Sequence, residues 1–229
     1  MTTICSVPDV ILVDLKADLA QAAAAAGWSN ISVMARTDVR DVPLTPGTAF
    51  LSPANSLGFM DGGVDMVYSR AMFPGVEARV KAAIKALGQE NFLGRFYLNI
   101  GDAVTVPTQH EGVSLIAAPT MWLPQYVLGT KNAYHAMRAA LSEARRQGVR
   151  RLVTPGLCTG VGGMPAEEAV AQMMAAHRDA LDGLPSRYDA ASIAEEQPHV
   201  YGNTEFRRSQ GAGPPRCAAA GRAAGSAAG

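Results

Sequence analysis

Phe50-Leu51-Ser52-Pro53-Ala54-Asn55-Ser56-Leu57-Gly58-Phe59-Met60-Asp61-Gly62-Gly63-Val64-Asp65-Met66-Val67-Tyr68-Ser69-Arg70 is the stretch that decides the fold. An apolar run at 49–51 ends in Pro53 and Asn55, glycines follow at 58, 62 and 63, and a helical pattern starts near Val64. This order predicts a buried strand, then a loop whose backbone can approach a ligand, then a helix N-terminus opening into the same space. First-turn N–H groups are unpaired and the helix dipole is positive there, so the arrangement suits an anionic, phosphate-bearing ligand. The Asn55 amide and the Asp65 carboxylate flank the loop. A hydrolase acting on a sugar-phosphate needs such a pair, one group to orient a ribose and one to handle a water.

Outward from this stretch, short apolar runs alternate with helical patterns. Strands are expected at 10–13, 31–35, 49–51, 103–106, 113–118 and 152–154. Helices are expected at 15–26, closed by Gly27, at 64–71, at 76–87, at 131–147 and from Pro165 to a stop at Gly183. In the last two, Tyr134, Met137, Leu141 and Ala144, then Val170, Met174, His177 and Leu181, are expected to face inward. A second glycine-rich loop, Gly156-Leu157-Cys158-Thr159-Gly160-Val161-Gly162-Gly163-Met164-Pro165, leads into the final helix, which carries Glu167 and Glu168 in its first turn. Alternation of this kind implies an α/β fold, a three-layer α/β/α sandwich on a mixed, mostly parallel sheet. The two glycine loops would then converge at the carboxyl ends of the strands.

A chain of 229 residues can bury a substantial core. Residues 1–184 are expected to form one domain, and 185–229 a polar extension with a disordered Ala/Gly-rich tail. Formal net charge is zero, so no global field draws in nucleic acid or an anionic membrane. Nucleic acid is expected only as a modified substrate, and the protein as a monomer without a membrane partner. Cys5, Cys158 and Cys217 are odd in number and lack metal-ligand spacing, which favours a reducing compartment. With no basic leader and no apolar run of about 20 residues, the chain reads as cytoplasmic.

The two loops together resemble those of the macrodomain family, the ADP-ribose-binding α/β/α module, in its bacterial type with a Ser52-Pro53-Ala54-Asn55-Ser56 loop. The family's Asn-Ala-Ala-Asn motif and Gly-Gly-Val-Asp are matched by Pro53-Ala54-Asn55 and Gly62-Gly63-Val64-Asp65. Its Ser-Thr-Gly-Ile-aromatic-Gly-aromatic-Pro loop is matched by residues 158–165. The resemblance spans about 31–181 and implies an ADP-ribosyl hydrolase that cleaves ADP-ribose from a protein side chain or nucleobase. Asn55 would hydrogen-bond the distal ribose and Asp65 would direct a water, these two being the catalytic pair. Gly62, Gly63 and Val64 would contribute backbone to the ligand, and Phe59 an apolar wall. Thr159, Gly160, Val161 and Gly162 would wrap the diphosphate, and Asp38 would accept from the adenine amino group. The resemblance implies no cofactor.

Two positions depart from the family's catalytic branch: Ser69 stands where that branch commonly has His, and Gly162 where an aromatic covers the distal ribose. Another branch uses a lysine in the first loop, but no lysine lies between Lys16 and Lys81. A non-catalytic ADP-ribose reader is therefore the alternative. A Rossmann-type dinucleotide enzyme would need a glycine fingerprint after the first strand, and residues 14–26 contain no glycine.

Blander readings stand beside these roles. Asn55 can be a turn residue, Asp65 a helix first-turn carboxylate, Asp38 a cap, and Asp61 a solvated loop residue. Cys158 is expected to be a small buried side chain. Trp122, Pro124 and Tyr126 follow a strand end, where aromatics more often join the core than the rim of a cleft. His110, His135, His177 and His199 are dispersed, and no metal is assigned to them.

Overall fold

A computed structural model describes residues 6–183. Cys5, His199, Cys217 and the expected tail at 185–229 lie outside the described residues.

Six strands form one sheet: β1 (Asp9–Asp14), β2 (Ser32–Ala35), β3 (Thr48–Ser52), β4 (Val104–Pro107), β5 (Val113–Ala117) and β6 (Arg151–Thr154). Their spatial order is β2-β1-β6-β3-β5-β4. Neighbours are parallel except β4, which runs antiparallel along the edge against β5. All five residues of β3 are buried, as a strand covered on both faces requires. β2 lies at the other edge, where Ser32, Val33 and Ala35 are exposed.

Alternation along β3 divides the core. Ala49 and Leu51 join Leu12, Ile116 and Leu152 beneath three helices, α1 (Asp18–Ala25), α4 (Asn132–Arg146) and α5 (Ala166–Gly183). Phe50 joins Leu115 and Val153 on the opposite face, under α2 (Gly63–Val67), a π-helical turn at Tyr68–Met72, and α3 (Val76–Ala86). The molecule is therefore a three-layer α/β/α sandwich on a mixed, mostly parallel sheet. In the second layer Phe50, Tyr68 and Phe73 form a buried aromatic cluster with centroids 5.4–6.0 Å apart.

The expected elements form with small shifts. α1 starts at Asp18 rather than Leu15, because the Asp14 carboxylate captures the N–H groups of Leu19 (2.9 Å) and Ala20 (3.2 Å) and so sets the first turn. The helix expected over 64–71 is interrupted: α2 widens into the π turn, a form that often accompanies functional sites. Leu181 is exposed rather than inward, on the last turn of α5.

His177 is buried as expected, for a specific reason. Its Nδ1 accepts from the Trp28 indole Nε1–H at 3.1 Å, tying α5 to the end of α1, and burial holds the ring below its ordinary pKa. Trp28→Phe leaves that buried acceptor unpaired and should cost about 1–3 kcal/mol in urea denaturation near neutral pH. An unchanged midpoint would show that the hydrogen bond contributes nothing net.

Candidate functional site

Because β1, β6 and β3 are adjacent and parallel, the segments leaving their carboxyl ends emerge side by side. A cavity of about 470 Å³ opens there, within the usual size of a small-molecule site. All eleven sequence-predicted site residues line it: Asp38, Asn55, Phe59, Gly62, Gly63, Val64, Asp65, Thr159, Gly160, Val161 and Gly162.

Asp65, in the first turn of α2, is buried, and its Oδ1 accepts from the Ser52 hydroxyl at 2.6 Å. Burial pushes its carboxyl up to about 7; Ser52 opposes that shift, and the Asp61 charge adds to it. A hydrogen-bonded buried carboxyl that titrates near neutrality is what a general base at the wall of a cavity needs. Asp61 also lines the cavity.

The Asn55 side chain does part of the work of a turn residue. Its Oδ1 accepts from the backbone N–H groups of Leu57 (3.1 Å) and Phe59 (3.3 Å). That fixes the orientation of the amide and leaves the Nδ2 donors without a partner among the described residues. The loop holding Asn55 is buttressed from the segment after β5: Ser56 N donates to Met121 O at 2.9 Å, and the Thr120 hydroxyl to Pro53 O at 3.2 Å.

Asp38 caps a 3₁₀ turn at Val39–Asp41. Its oxygens accept from the Arg40 side chain (2.7 and 2.9 Å) and from Arg40 N (2.9 Å), contacts that hold the carboxyl down at about 2. It borders the cavity already ionised and already paired.

The glycines divide into two kinds. A Cβ at Gly162 would lie 2.5 Å from the Cys158 carbonyl oxygen and 2.8 Å from Val127 Cγ2, so the protein's own packing demands glycine. That also explains why no aromatic covers the cavity from this position. A Cβ at Gly62 or Gly160 would meet nothing within 4 Å, and neither has positive φ. Bare backbone there faces the cavity without any internal reason.

Cys158 takes φ +65°, is buried, and burial pushes its thiol up to about 12, so it is not a thiolate. Ser69 is outside the cavity lining; its hydroxyl donates to Met60 O at 2.8 Å and staples the first loop to the π turn. No histidine among the described residues lines the cavity, and none of them forms a metal-binding cluster. Lys81 comes close to the first loop in space, with Nζ 4.1 Å from the Phe59 ring centroid, but pairs with Glu77 at 2.5 Å and does not line the cavity. The expectation that Trp122, Pro124 and Tyr126 belong to the core is corrected. Pro124 lines the cavity, Tyr126 is 80% exposed, and Trp122 is 37% exposed against Tyr97. This segment runs over the surface from β5 to α4 and is clipped to the second loop by Val127 N to Gly162 O at 2.9 Å.

Two participants were not singled out from sequence. Asp14, at the end of β1, lines the cavity and spends its carboxylate on Lys16 N, Leu19 N and Ala20 N, so the first turn of α1 is already occupied. The available signal was an acid at a strand end followed by a helix whose N-cap, Ala17, has no side-chain cap of its own. Ser52 is the other; a hydroxyl at the end of a strand buried on both faces must find a partner. No helix among the described residues is long and apolar enough to cross a membrane.

Comparison with known proteins agrees with this geometry. An uncharacterized protein of Aquifex aeolicus (strain VF5) is 34% identical over 125 residues, which cover 54% of this chain and 68% of that protein. One of Aeropyrum pernix is 31% identical over 166 residues, covering 70% of this chain and 79% of that one. In fold the chain is similar to the macrodomain of Thermus aquaticus DarG, with TM-score 0.51 at 18% identity, covering 76% of this chain and 93% of that chain. The family model of the Macro domain matches residues 51–173, more than half of the chain and spanning both glycine loops; the chain belongs to the macro domain family.

Proposed function

We propose that the protein binds ADP-ribose and hydrolyses its bond to an acceptor, a protein side chain or a nucleobase. One observation carries this reading. A buried carboxyl that titrates near neutrality stands in the wall of a cavity where backbone at Gly62 and Gly160 is left bare to a ligand. The diphosphate would lie against the N–H groups of residues 159–162, which suit an anion. The Nδ2 donors of Asn55 would hold the distal ribose. Asp65 would take a proton from a water attacking the anomeric carbon. The bond from that carbon to the acceptor breaks through an oxocarbenium-like state, and the acceptor leaves with its electron pair and takes a proton from solvent. Holding the ribose and the water in one geometry supplies much of the rate.

The alternative, a reader that binds without turnover, is favoured by Ser69, whose hydroxyl is committed to Met60 O. Calorimetry with ADP-ribose tests binding. Incubation with acceptors ADP-ribosylated on an acidic side chain, serine, thymidine or an acetyl ester, scored for free ADP-ribose, tests hydrolysis. Heat of binding together with release from at least one acceptor is expected. Binding with no release from any acceptor supports the reader, and no binding sinks both.

A further inference from the structure

We propose that Ser52 is the positioning residue for Asp65: its hydroxyl ties up Oδ1, so the carboxyl turns Oδ2 to the cavity and holds it there as the acceptor of the water's proton. This rests on the hydrolase reading and names a residue that the reading does not require.

The hydroxyl is mounted on a rigid element. Ser52 is completely buried at the end of β3, in register with Ala117 of β5, and its carbonyl accepts from Ala118 N at 3.0 Å. Backbone bonds on the β5 side leave little freedom, and the side chain reaches across to Asp65 Oδ1 at 2.6 Å, a short bond of the kind made to a charged acceptor. Oδ2 accepts from no described residue, and Asp65 lines the cavity, so the free oxygen is the one available to a ligand or water.

The surroundings make this single donor matter. Asp61 approaches from the first loop and disfavours the charge. Tyr68, from the π turn, is completely buried with a hydroxyl that has no partner among the described residues, and Asp65 raises its pKa further, so it stays neutral. Among the described residues, Ser52 is thus the contact that favours the carboxylate. Without it the carboxyl would be free to rotate and would hold its proton more tightly.

The test uses Ser52→Ala, with Ser52→Cys as a second variant that keeps the volume but offers only a weak donor. The Asp65 carboxyl is titrated by ¹³C NMR in each, and the pH dependence of ADP-ribose release is measured alongside. The midpoint should rise by about one pH unit in Ser52→Ala and by less in Ser52→Cys. Release at pH 7 should fall about five-fold, and the loss should shrink as pH rises. Ser52→Thr, which retains the hydroxyl, should titrate like the wild type. An unmoved midpoint in the alanine and cysteine variants, or a rate loss equal at every pH, overturns the proposal. The NMR titration needs no substrate, so a wild type that never releases ADP-ribose would sink the hydrolase reading while the titration still decides what Ser52 does.

Discussion

Asp65→Asn is expected to slow ADP-ribose release by on the order of 10²–10⁴-fold, the usual contribution of a general base, while leaving ADP-ribose binding within a few-fold of wild type. The same substitution should stabilise the fold above neutrality. An asparagine keeps an Oδ1 acceptor for the Ser52 hydroxyl but carries no charge into a buried site. The folded-state carboxyl titrates near 7 against an ordinary 3.8, so the native state binds the proton more tightly than the unfolded chain. The contribution is therefore fully present below pH 3.8 and is lost as pH rises toward 7. Wild-type stability should fall through that window and Asp65→Asn should not. The gap should reach roughly 2–4 kcal/mol at pH 8 and close toward pH 4, at about 1.4 kcal/mol per pH unit. Urea denaturation at several pH values, beside the release assay, measures both effects. A variant that keeps wild-type turnover removes Asp65 from catalysis. A stability gap that does not vary with pH shows that the carboxyl titrates elsewhere. Slower release together with higher stability describes a group whose burial costs stability and is kept for what it does in the cavity.

Most of the fold could be read because its signals are local and periodic. β3 shows as an apolar run ended by Pro53, and α4 as an amphipathic face closed near Gly148. Spatial convergence of the two loops followed from alternation of strands and helices, since a parallel sheet sends every strand end to one edge. What escaped depends on partners distant in sequence or on choices between equal local options. Asp14 caps a helix five and six residues ahead rather than from the N-cap position, so the usual capping pattern does not find it. The Ser52–Asp65 bond joins residues thirteen apart that only the strand–loop–helix turn brings together. Asp38 was legible both as a cap and as a ligand contact; the geometry shows the cap and its Arg40 partner, and adenine recognition stays a proposal. Trp122 and Tyr126 carry no signal that separates a core aromatic from a surface one, because their segment lacks any period. The π turn at Tyr68–Met72 follows a helical pattern that sequence cannot distinguish from an ordinary helix.

Gly160 and Gly162 stand two residues apart in one loop, yet alanine should act on them in opposite ways. At Gly160 a Cβ meets no protein atom within 4 Å and φ is not positive, so Gly160→Ala fits the native backbone. It should leave the fold unchanged or stabilise it by about 0.4–1 kcal/mol, by restricting the unfolded chain. If a diphosphate lies on that backbone, the methyl occupies its place, and loss of one or two charge-assisted hydrogen bonds should weaken ADP-ribose binding by roughly 10–100-fold. At Gly162 the obstacle is the protein itself. The methyl would press on the Cys158 carbonyl, whose oxygen accepts from Met164 N at 3.0 Å, while Gly162 O is held by Val127 N at 2.9 Å. Neither side can yield without breaking a backbone bond, so Gly162→Ala should cost about 1–3 kcal/mol, and binding should fall because the loop moves. Thermal denaturation and ADP-ribose calorimetry on both variants distinguish a ligand-facing glycine from a packing glycine. If Gly160→Ala binds ADP-ribose as tightly as the wild type, the diphosphate does not lie on the second loop. The bare backbone at Gly62 and Gly63, which also line the cavity, would then be where a ligand could press on the main chain without meeting a side chain.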